Sequence, residues 1–594
     1  MCLNHIQKIE ESIRNKELWA MEVIDSWGTF QTPGILYGHL FEIGNYEELI
    51  EGKYCQAEIP LENLQELIDF KSDFIDPLPK YHLIPASSGI SFGICIPNSC
   101  SPDYLNSILK EFLNNLVGSK INDETNVILA NSCKGNEKII FRPIDYVAMS
   151  ILGLIAFLVI VSTVYDLSFD SMKKGNGYSK ILTAFSIKKN GKHLFKIQSN
   201  HDDHSNHIHI ECIHGIRVLT IIWIVFLHEY TFSYGLNFIN RIDYVNWSRT
   251  LYSMVIQFGN ISVDTFFVIS GCLLTLSAFK EMNFRNGKLN VPLMYLHRYI
   301  RLTPLVAILV LIMVSLYRYF GDGPYWNPNH IIDLCERNWW STLLYIHNYV
   351  HPGQMCLGHS WYLAVDTQLY FISPLFLIIL WKYKEYGMIP IILAIVISAG
   401  YIFEETMHFN FHMNPLEVNE NDFRKQELIY YSTHSRISPF MVGIILGYYI
   451  YKYCNEKIKL YKPIVIMGWF LSILIIIAIV FGPYHRTLYQ PNSETTVIEV
   501  ALYESLSRLF WSIAVSWIIF ACHKGYGGII NKILSFGIWQ PLGRLTFSIY
   551  LNHLLIQMIL TGNSKTDSNF SNLDIILEQL FNNIINIYLD SISF

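Results

Sequence analysis

The amino-acid sequence predicts an all-α polytopic membrane bundle of about 10–11 transmembrane helices, with an N-terminal exoplasmic soluble domain that contains disulfides. Three observations predict it. Of 594 residues, 51% are hydrophobic and only 15% charged, with a mean hydropathy of +0.28, which suits a chain solvated partly by lipid. Ten stretches approach the ~20 apolar residues that a helix needs to cross a hydrocarbon core ~30 Å thick. The loops between them alternate between basic and acidic, as in a chain with one fixed orientation. A net charge of −6 and a pI near 6.4 give no bulk attraction for nucleic acid.

In chain order, residues 1–145 read as a soluble head, 146–167 as the first transmembrane helix, 168–210 as a basic cytoplasmic linker and 211–594 as the membrane domain. The apolar stretches lie near 146–167, 213–234, 252–279, 302–320, 361–381, 387–403, 436–453, 464–483, 501–522 and 541–561, with a weak eleventh at 573–589. The linker carries Lys173, Lys174, Lys180, Lys188, Lys189, Lys192 and Lys196. The loop after the third stretch carries Lys280, Arg285, Lys288, Arg298 and Arg301, and Lys382, Lys384, Lys452, Lys457, Lys459 and Lys462 repeat the pattern. The intervening loop 404–434 has Glu404, Glu405, Glu417, Glu420, Asp422 and Glu427 against Arg424 and Lys425. Because cytoplasmic loops hold the excess of Lys and Arg, the head faces the lumen or the cell exterior of a plasma membrane or endomembrane.

A translocated head calls for an apolar leader, and residues 1–18 have none, so a leader is expected upstream; the alternative is a first helix acting as a reverse anchor. The head has five cysteines, Cys2, Cys55, Cys95, Cys100 and Cys133, and its location favours disulfides. In the loop 321–360, Cys335 and Cys356 are the two cysteines, and a bridge closing that loop of about 20 residues is worth ~3 kcal/mol of loop entropy. Cys212, Cys272, Cys454 and Cys522 fall in or beside apolar stretches and read as reduced packing residues. Asn246-Trp-Ser248, Asn260-Ile-Ser262 and Asn569-Phe-Ser571 match the glycosylation sequon; Asn260 lies too near a membrane stretch to be a good acceptor, and Asn246 is the favoured site.

Charged side chains at membrane depth cost at least ~2.5 kcal/mol on insertion scales, so they mark a protein interior or a watery cavity. In CIHGIRVLTIIWIVFLHEY, Arg217 and His228 are eleven residues apart. That is three helical turns, so both project from one face, roughly 16 Å apart along the axis. An arginine suits anionic phosphate, and a histidine suits proton transfer near neutral pH. The bland alternative is an arginine that snorkels to the interface and a histidine bonded to a neighbouring helix. In MYLHRYIRLTP, Arg298 and Arg301 stand at a cytoplasmic helix start with Pro304 in the first turn of the next stretch, as an anion clamp or as ordinary flanking charge. HSWYLAVDTQLYFISP puts Asp366 about one turn from Trp361, with Gln368 and Tyr370 nearby; the acid needs a partner, expected from Arg217 or His228. Asp264 and the pair Arg544 and His553 complete the polar positions expected around one cavity. The histidines of SNHDDHSNHIH, His201, His204, His207 and His209, lack cysteines and a fixed scaffold and read as solvated linker, not as a metal site.

Six blocks of the membrane part, from Arg217–His228 through VDTFFVISG, HRYIRLTP, SWYLAVDTQLYFISP and RISPFMVGIILGY to PLGRLTFSIYLNH, resemble in order those of the acyltransferase 3 family. The head segments LWAMEVIDSWGTFQTPGILYGHLFEIGNYEEL, GKYC and SFGICIPNSCS resemble its animal branch, the nose-resistant-to-fluoxetine proteins. The resemblance implies His228 as base or acyl relay and Arg217 as its partner. It further implies Arg298 and Arg301 as holders of acyl-CoA phosphates, and Asp366 at the family's acidic position, where bacterial members more often have glutamate; His553 matches the late block's histidine. Leu49 stands where the head motif usually has cysteine, which leaves one head cysteine, Cys2, without a mate. The chain's end at Phe594 departs from the family in showing no recognisable last span.

These readings converge on a membrane-bound O-acyltransferase that uses acyl-CoA as cosubstrate and no bound cofactor, and passes the acyl group to an exoplasmic or lipid hydroxyl. The partners are then the bilayer, acyl-CoA and a hydroxyl-bearing acceptor or lipid. Two rivals stand beside it: a carrier that moves a lipid or xenobiotic through the same cavity, and a partner-binding head on a degenerate enzyme.

Overall fold

A computed structural model describes residues 2–25, 27–28, 39, 41–46, 52–60, 89–117, 127–135, 140–168, 177–197, 210–235, 238–411, 420–454, 456, 458–484 and 497–578. Leu49, Lys173, Lys174, His201, His204, His207, His209, Glu417, Lys457 and the 579–589 part of the weak eleventh stretch lie outside them.

The head is a mixed α/β unit. Strands β1 (Phe41–Glu42), β2 (Gly52–Pro60), β3 (Gly89–Pro97) and β4 (Ile128–Gly135) form one sheet in the order β1-β3-β2-β4. β1 and β3 are parallel, and β2 runs antiparallel to both β3 and β4. Helices α1 (Cys2–Arg14), α2 (Leu18–Asp25) and α3 (Pro102–Val117) accompany it. Cys55 and Cys133 are directly opposed across β2 and β4 and form a disulfide. Cys2 is not left over, contrary to expectation: it bridges to Cys100 and ties α1 to the turn after β3. The head cysteine outside both bridges is Cys95. Side chains alternate faces along a strand. Cys95 pairs in register with Tyr54 and not with Cys55, so it points to the face opposite the Cys55–Cys133 bridge.

The membrane part is helical: α4 (Pro143–Ser168), α5 (Ile187–Phe195), α6 (Cys212–Gly235), α7 (Ser262–Phe284), α8 (Val291–Val314), α9 (Pro328–Leu343), α10 (Trp361–Tyr383), α11 (Ile389–Phe409), α12 (Ile437–Lys452), α13 (Lys462–Phe481), α14 (Val497–His523) and α15 (Trp539–Gly562). Eight helical stretches among the described residues are long and apolar enough to cross a membrane, and one of them, Gly358–Phe409, contains both α10 and α11. The expected stretch at 436–453 yields α12, which at 16 residues falls short of the others.

Two boundaries differ from the sequence reading. Residues 252–261 do not join α7; they break into a short helix, Met254–Gln257, and a turn, Gly259–Ile261. α8 begins eleven residues earlier than expected, because the Asn290 side chain caps it by accepting from Leu293 N and a proline stands in its first turn. Pro304 is therefore inside the helix, and Arg298 and Arg301 project from its body.

Burial separates centre from rim. In α7, 78% of the apolar window is buried, against 11% in α4 and 17% in α13, so α7 is the axis of the bundle and the other two face outward. α7 meets α12 at glycines: a Cβ on Gly271 would lie 2.3 Å from Phe440 O, and one on Gly443 2.3 Å from Val268 O. Only bare backbone allows that approach.

The head rests on the loops that follow α8 and α15. Tyr46 donates to Asp322 at 3.0 Å, Ile43 N to Asp567 at 3.5 Å, and Lys134 Nζ to the carbonyls of Gly323 and Pro324, while Tyr325 ties the two loops together by donating to Asp567 at 3.2 Å. The C-terminal ends of α8 and α15 thus mark the head side of the bundle. On that side a third disulfide joins Cys335 of α9 to Cys356. The loop it closes buries His347, 1% exposed, with Nε2 2.9 Å from Ser360 Oγ. Burial pushes His347 down from 6.5 to about 4. An opened loop therefore binds a proton between those values that the closed loop refuses, and closure loses stability as pH falls from about 6.5 through 4. Hydrogen exchange over 344–360, corrected for intrinsic rate, should accelerate across that window and lose the dependence in His347→Gln. An identical pH response in the variant would dismiss His347 as its source.

Candidate functional site

A cavity of about 780 Å³ opens among α6, α7, α8, α10 and α15, toward the side away from the head. Arg217, Arg298, Arg301 and Arg544 line it against one carboxylate, Asp366, so its field favours a polyanion. The four arginines are not equivalent. Arg298 contacts Asp366 directly and lies 4.1 Å over the Tyr370 ring, so its charge is largely neutralised inside the protein. The expected partner of Asp366, an arginine or histidine of the second stretch, is thus replaced by Arg298 of α8. The early start of α8 is the reason, since it carries Arg298 about two turns past its capped end and beside α10. Arg544 donates through Nη1 to the carbonyls of His193, Leu194 and Lys196, at 3.0, 2.5 and 2.8 Å, and closes the C-terminal turn of the basic linker helix α5. Arg217 and Arg301 face the cavity with no hydrogen-bonded protein acceptor among the described residues, which leaves two guanidinium forks free for a ligand.

His228 does not line this cavity. It lies farther along α6 toward the head, where Nδ1 approaches Ile224 O at 2.9 Å and His553 Nε2 at 3.3 Å, with the rings 5.1 Å apart. His359, in the turn before α10, completes a cluster: its ring is 5.3 Å from that of His553, and Nε2 is 3.1 Å from Leu551 O. Nothing in the sequence had singled out His359, although the HSW triplet beside Trp361 held it. Tyr362 and Tyr550 form the head-side end of the cavity, with rings 5.5 Å apart, and Tyr550 donates to His359 O at 2.7 Å. One aromatic layer therefore separates the arginines from the histidines.

Of the polar positions expected at the cavity, His553 lies instead in the histidine cluster, and Asp264 and Trp361 belong elsewhere. Asp264 accepts two hydrogen bonds of 2.9 Å from Arg436 Nη1, with side chains 0% and 1% exposed. Trp361 covers the same guanidinium at 5.1 Å and packs against Tyr430 and Tyr431. The glycine-mediated approach of α7 and α12 brings Asp264 to Arg436 and draws both away from the cavity. Behind them Arg508 donates to Ile429 O and Ser435 O, and Lys425 pairs with Glu504 at 2.8 Å. These partners went unrecognised in the sequence, although Glu504 and Arg508 fall inside the apolar stretch 501–522 and Lys425 in the acidic loop before α12. Asn246 is exposed on a short helix, Arg241–Ser248. Among the described residues no group of three or more His, Cys, Asp or Glu side chains is placed to hold a metal ion.

Comparison with known proteins supplies the class. Residues 210–581 match the family described as "Acyltransferase domain", more than half of the chain. The chain belongs to the acyltransferase 3 family. Residues 2–109 match the "Nose resistant-to-fluoxetine protein, N-terminal domain". The chain is 26% identical to Nose resistant to fluoxetine protein 6 of Caenorhabditis elegans, over 92% of this chain and 73% of that protein. It is 23% identical to Regulator of hypoxia-inducible factor 1 of the same organism, over 54% of this chain and 64% of that one. A Putative O-acetyltransferase of Staphylococcus aureus is 26% identical over 50% of this chain and 46% of its own. No solved structure matches. Membership in the acyltransferase 3 family supports, in general terms, an enzyme that transfers acyl groups other than aminoacyl groups.

Proposed function

We propose that this acyltransferase 3 protein is a membrane-bound O-acyltransferase that takes an acyl group from acyl-CoA at the arginine cavity and gives it to a hydroxyl acceptor, exoplasmic or lipidic, at His228. The observation that carries the reading is the division of labour along α6, which presents Arg217 to a cationic cavity and, three turns on, an imidazole whose Nδ1 is committed to Ile224 O. His228 Nε2 is then the basic nitrogen. It takes the proton of the acceptor hydroxyl as that oxygen attacks the thioester carbonyl; the C–S bond breaks, and the proton passes to the departing CoA thiolate. Products are the ester and CoA-SH. The basic residues at the far side, Lys188, Lys189, Lys192, Lys280, Arg285 and Lys382 among them, favour placing the cavity mouth in the cytoplasm and the head outside.

Purified protein given acyl-labelled and CoA-labelled donor decides between transfer and carriage. Transfer releases free CoA and moves the acyl label to a new ester. A carrier accumulates both labels on one intact molecule, and the layer of Tyr362 and Tyr550 between cavity and histidines is the observation that favours that second reading. Donor binding itself should depend on Arg301. Its loss removes a charged hydrogen-bonding fork worth about 1.5–3 kcal/mol, or roughly 10- to 100-fold in Kd. Arg544→Ala should cost less, because that side chain already serves α5. Equal Kd values for wild type and Arg301→Ala, by calorimetry with CoA, would remove Arg301 from the site.

A further inference from the structure

The histidine cluster holds a role that the transfer scheme leaves open, and the inference rests on that scheme. We propose that His553 is the positioning residue of His228, sharing its Nδ1–H with Ile224 O and accepting from it when the ring becomes charged. His228 Nδ1 stands 2.9 Å from Ile224 O and 3.3 Å from His553 Nε2. A carbonyl can only accept, so the hydrogen of neutral His228 is on Nδ1. His553 obeys the same rule: its Nδ1 is 2.8 Å from Tyr550 O and 3.2 Å from Ile549 O, so that nitrogen is N–H and Nε2 is a lone pair aimed at His228. His359 fixes the ring from the other side. Its Nε2 is held by Leu551 O, and it stands edge-on to His553 at 76°.

The hydrogen bonds therefore run one way, from His228 Nδ1–H to His553 Nε2 and from His553 Nδ1–H to the α15 backbone. Every end of that chain is set by a carbonyl. When His228 takes the acceptor's proton on Nε2, the imidazolium shares its charge with Nδ1–H, and the bond to His553 becomes charge-assisted. The proton itself goes to the CoA thiolate and never to His553, whose two nitrogens keep their state. This is the task an aspartate performs beside histidine in hydrolytic triads. Within a bilayer a neutral acceptor performs it without the insertion cost that a carboxylate carries there.

The test uses the full chain in nanodiscs of native membrane lipid, with CoA release from acetyl-CoA and palmitoyl-CoA as readout. His553→Leu should lower kcat by about 10²-fold with KM nearly unchanged. His553→Gln, whose side-chain oxygen can accept the same N–H, should recover most of the loss. Wild-type kcat in His553→Leu, or a glutamine variant no better than leucine while both bind CoA normally, overturns the positioning role. His228→Ala run alongside separates the two ideas: full activity there sinks the transfer scheme, whereas a dead His228→Ala beside an active His553→Leu sinks only this inference. Nitrogen-15 spectra of histidine-labelled protein give a readout that needs no turnover. The His228 signal, identified by its loss in His228→Ala, should be the Nδ1–H tautomer in all three proteins because Ile224 O remains, with its Nδ1 resonance displaced in His553→Leu and returned toward the wild-type position in His553→Gln. An Nδ1 resonance indifferent to residue 553 refutes the proposal.

Discussion

His228→Ala is expected to lower CoA release by about 10²–10⁴-fold, the range associated with a positioned general base, while donor affinity stays within a factor of two of wild type. The two quantities separate because the residue is roughly three helical turns, about 16 Å, from Arg217, so the cationic cavity keeps its lining when the imidazole is removed. Loss of kcat with KM preserved is the signature of an interaction made only in the transition state. Folding should survive, since His228 is half-buried and its hydrogen bonds are to one carbonyl and one imidazole, neither of them charged. His228→Gln is the matched control, because it fills similar space without a basic nitrogen. Turnover in either variant equal to wild type removes His228 from the chemistry.

Asp264→Leu should have the largest effect on stability. Arg436 is 1% exposed, and with Asp264 gone its one hydrogen-bond acceptor among the described residues is Tyr430 O, at 3.2 Å from Nε, with the aromatic faces of Trp361 and Tyr430 and the more distant charge of Glu504 beside it. Removing one partner of a buried ion pair costs about 3–5 kcal/mol, because the other is left charged without compensation. The apparent midpoint of detergent unfolding should fall accordingly. The double variant Asp264→Leu/Arg436→Met should regain much of the loss, since an apolar pair of similar volume needs no counter-charge. A double variant less stable than Asp264→Leu would mean that Arg436 holds the fold by contacts other than this pair.

The sequence foretold the helices better than the partners. Apolar length alone located α4, α10 and α15 to within a few residues, because lipid leaves the backbone no other solution. The α8 start was misjudged, since MYLHRYIR looks like a loop until the Asn290 cap and the proline after it are weighed together. Arg217 and His228 share a face by helical arithmetic, a local property. That Arg298 would meet Asp366, or Arg436 meet Asp264, is a tertiary fact that depends on which helices adjoin and how closely. The glycines that decide the second case, Gly271 and Gly443, carry no charge signal at all. The head followed the same rule: strand register sends Cys95 to the face away from the Cys55–Cys133 bridge while α1 brings Cys2 to Cys100, and neither can be counted from cysteine number.

The pairing of Asp264 with Arg436 also sets a clock. The two residues are 172 positions apart in the chain. At the ~5–20 residues per second of synthesis, the aspartate emerges roughly ten to thirty seconds before its arginine exists. Throughout that interval the acid in the first turn of α7 has no native counter-charge, so that end of the helix waits at the water boundary until α12 arrives. That end of the central helix is thus settled only once the chain beyond α11 has been made. A ribosome slowed between the two codons would lengthen the exposure of that one acid in proportion to the delay.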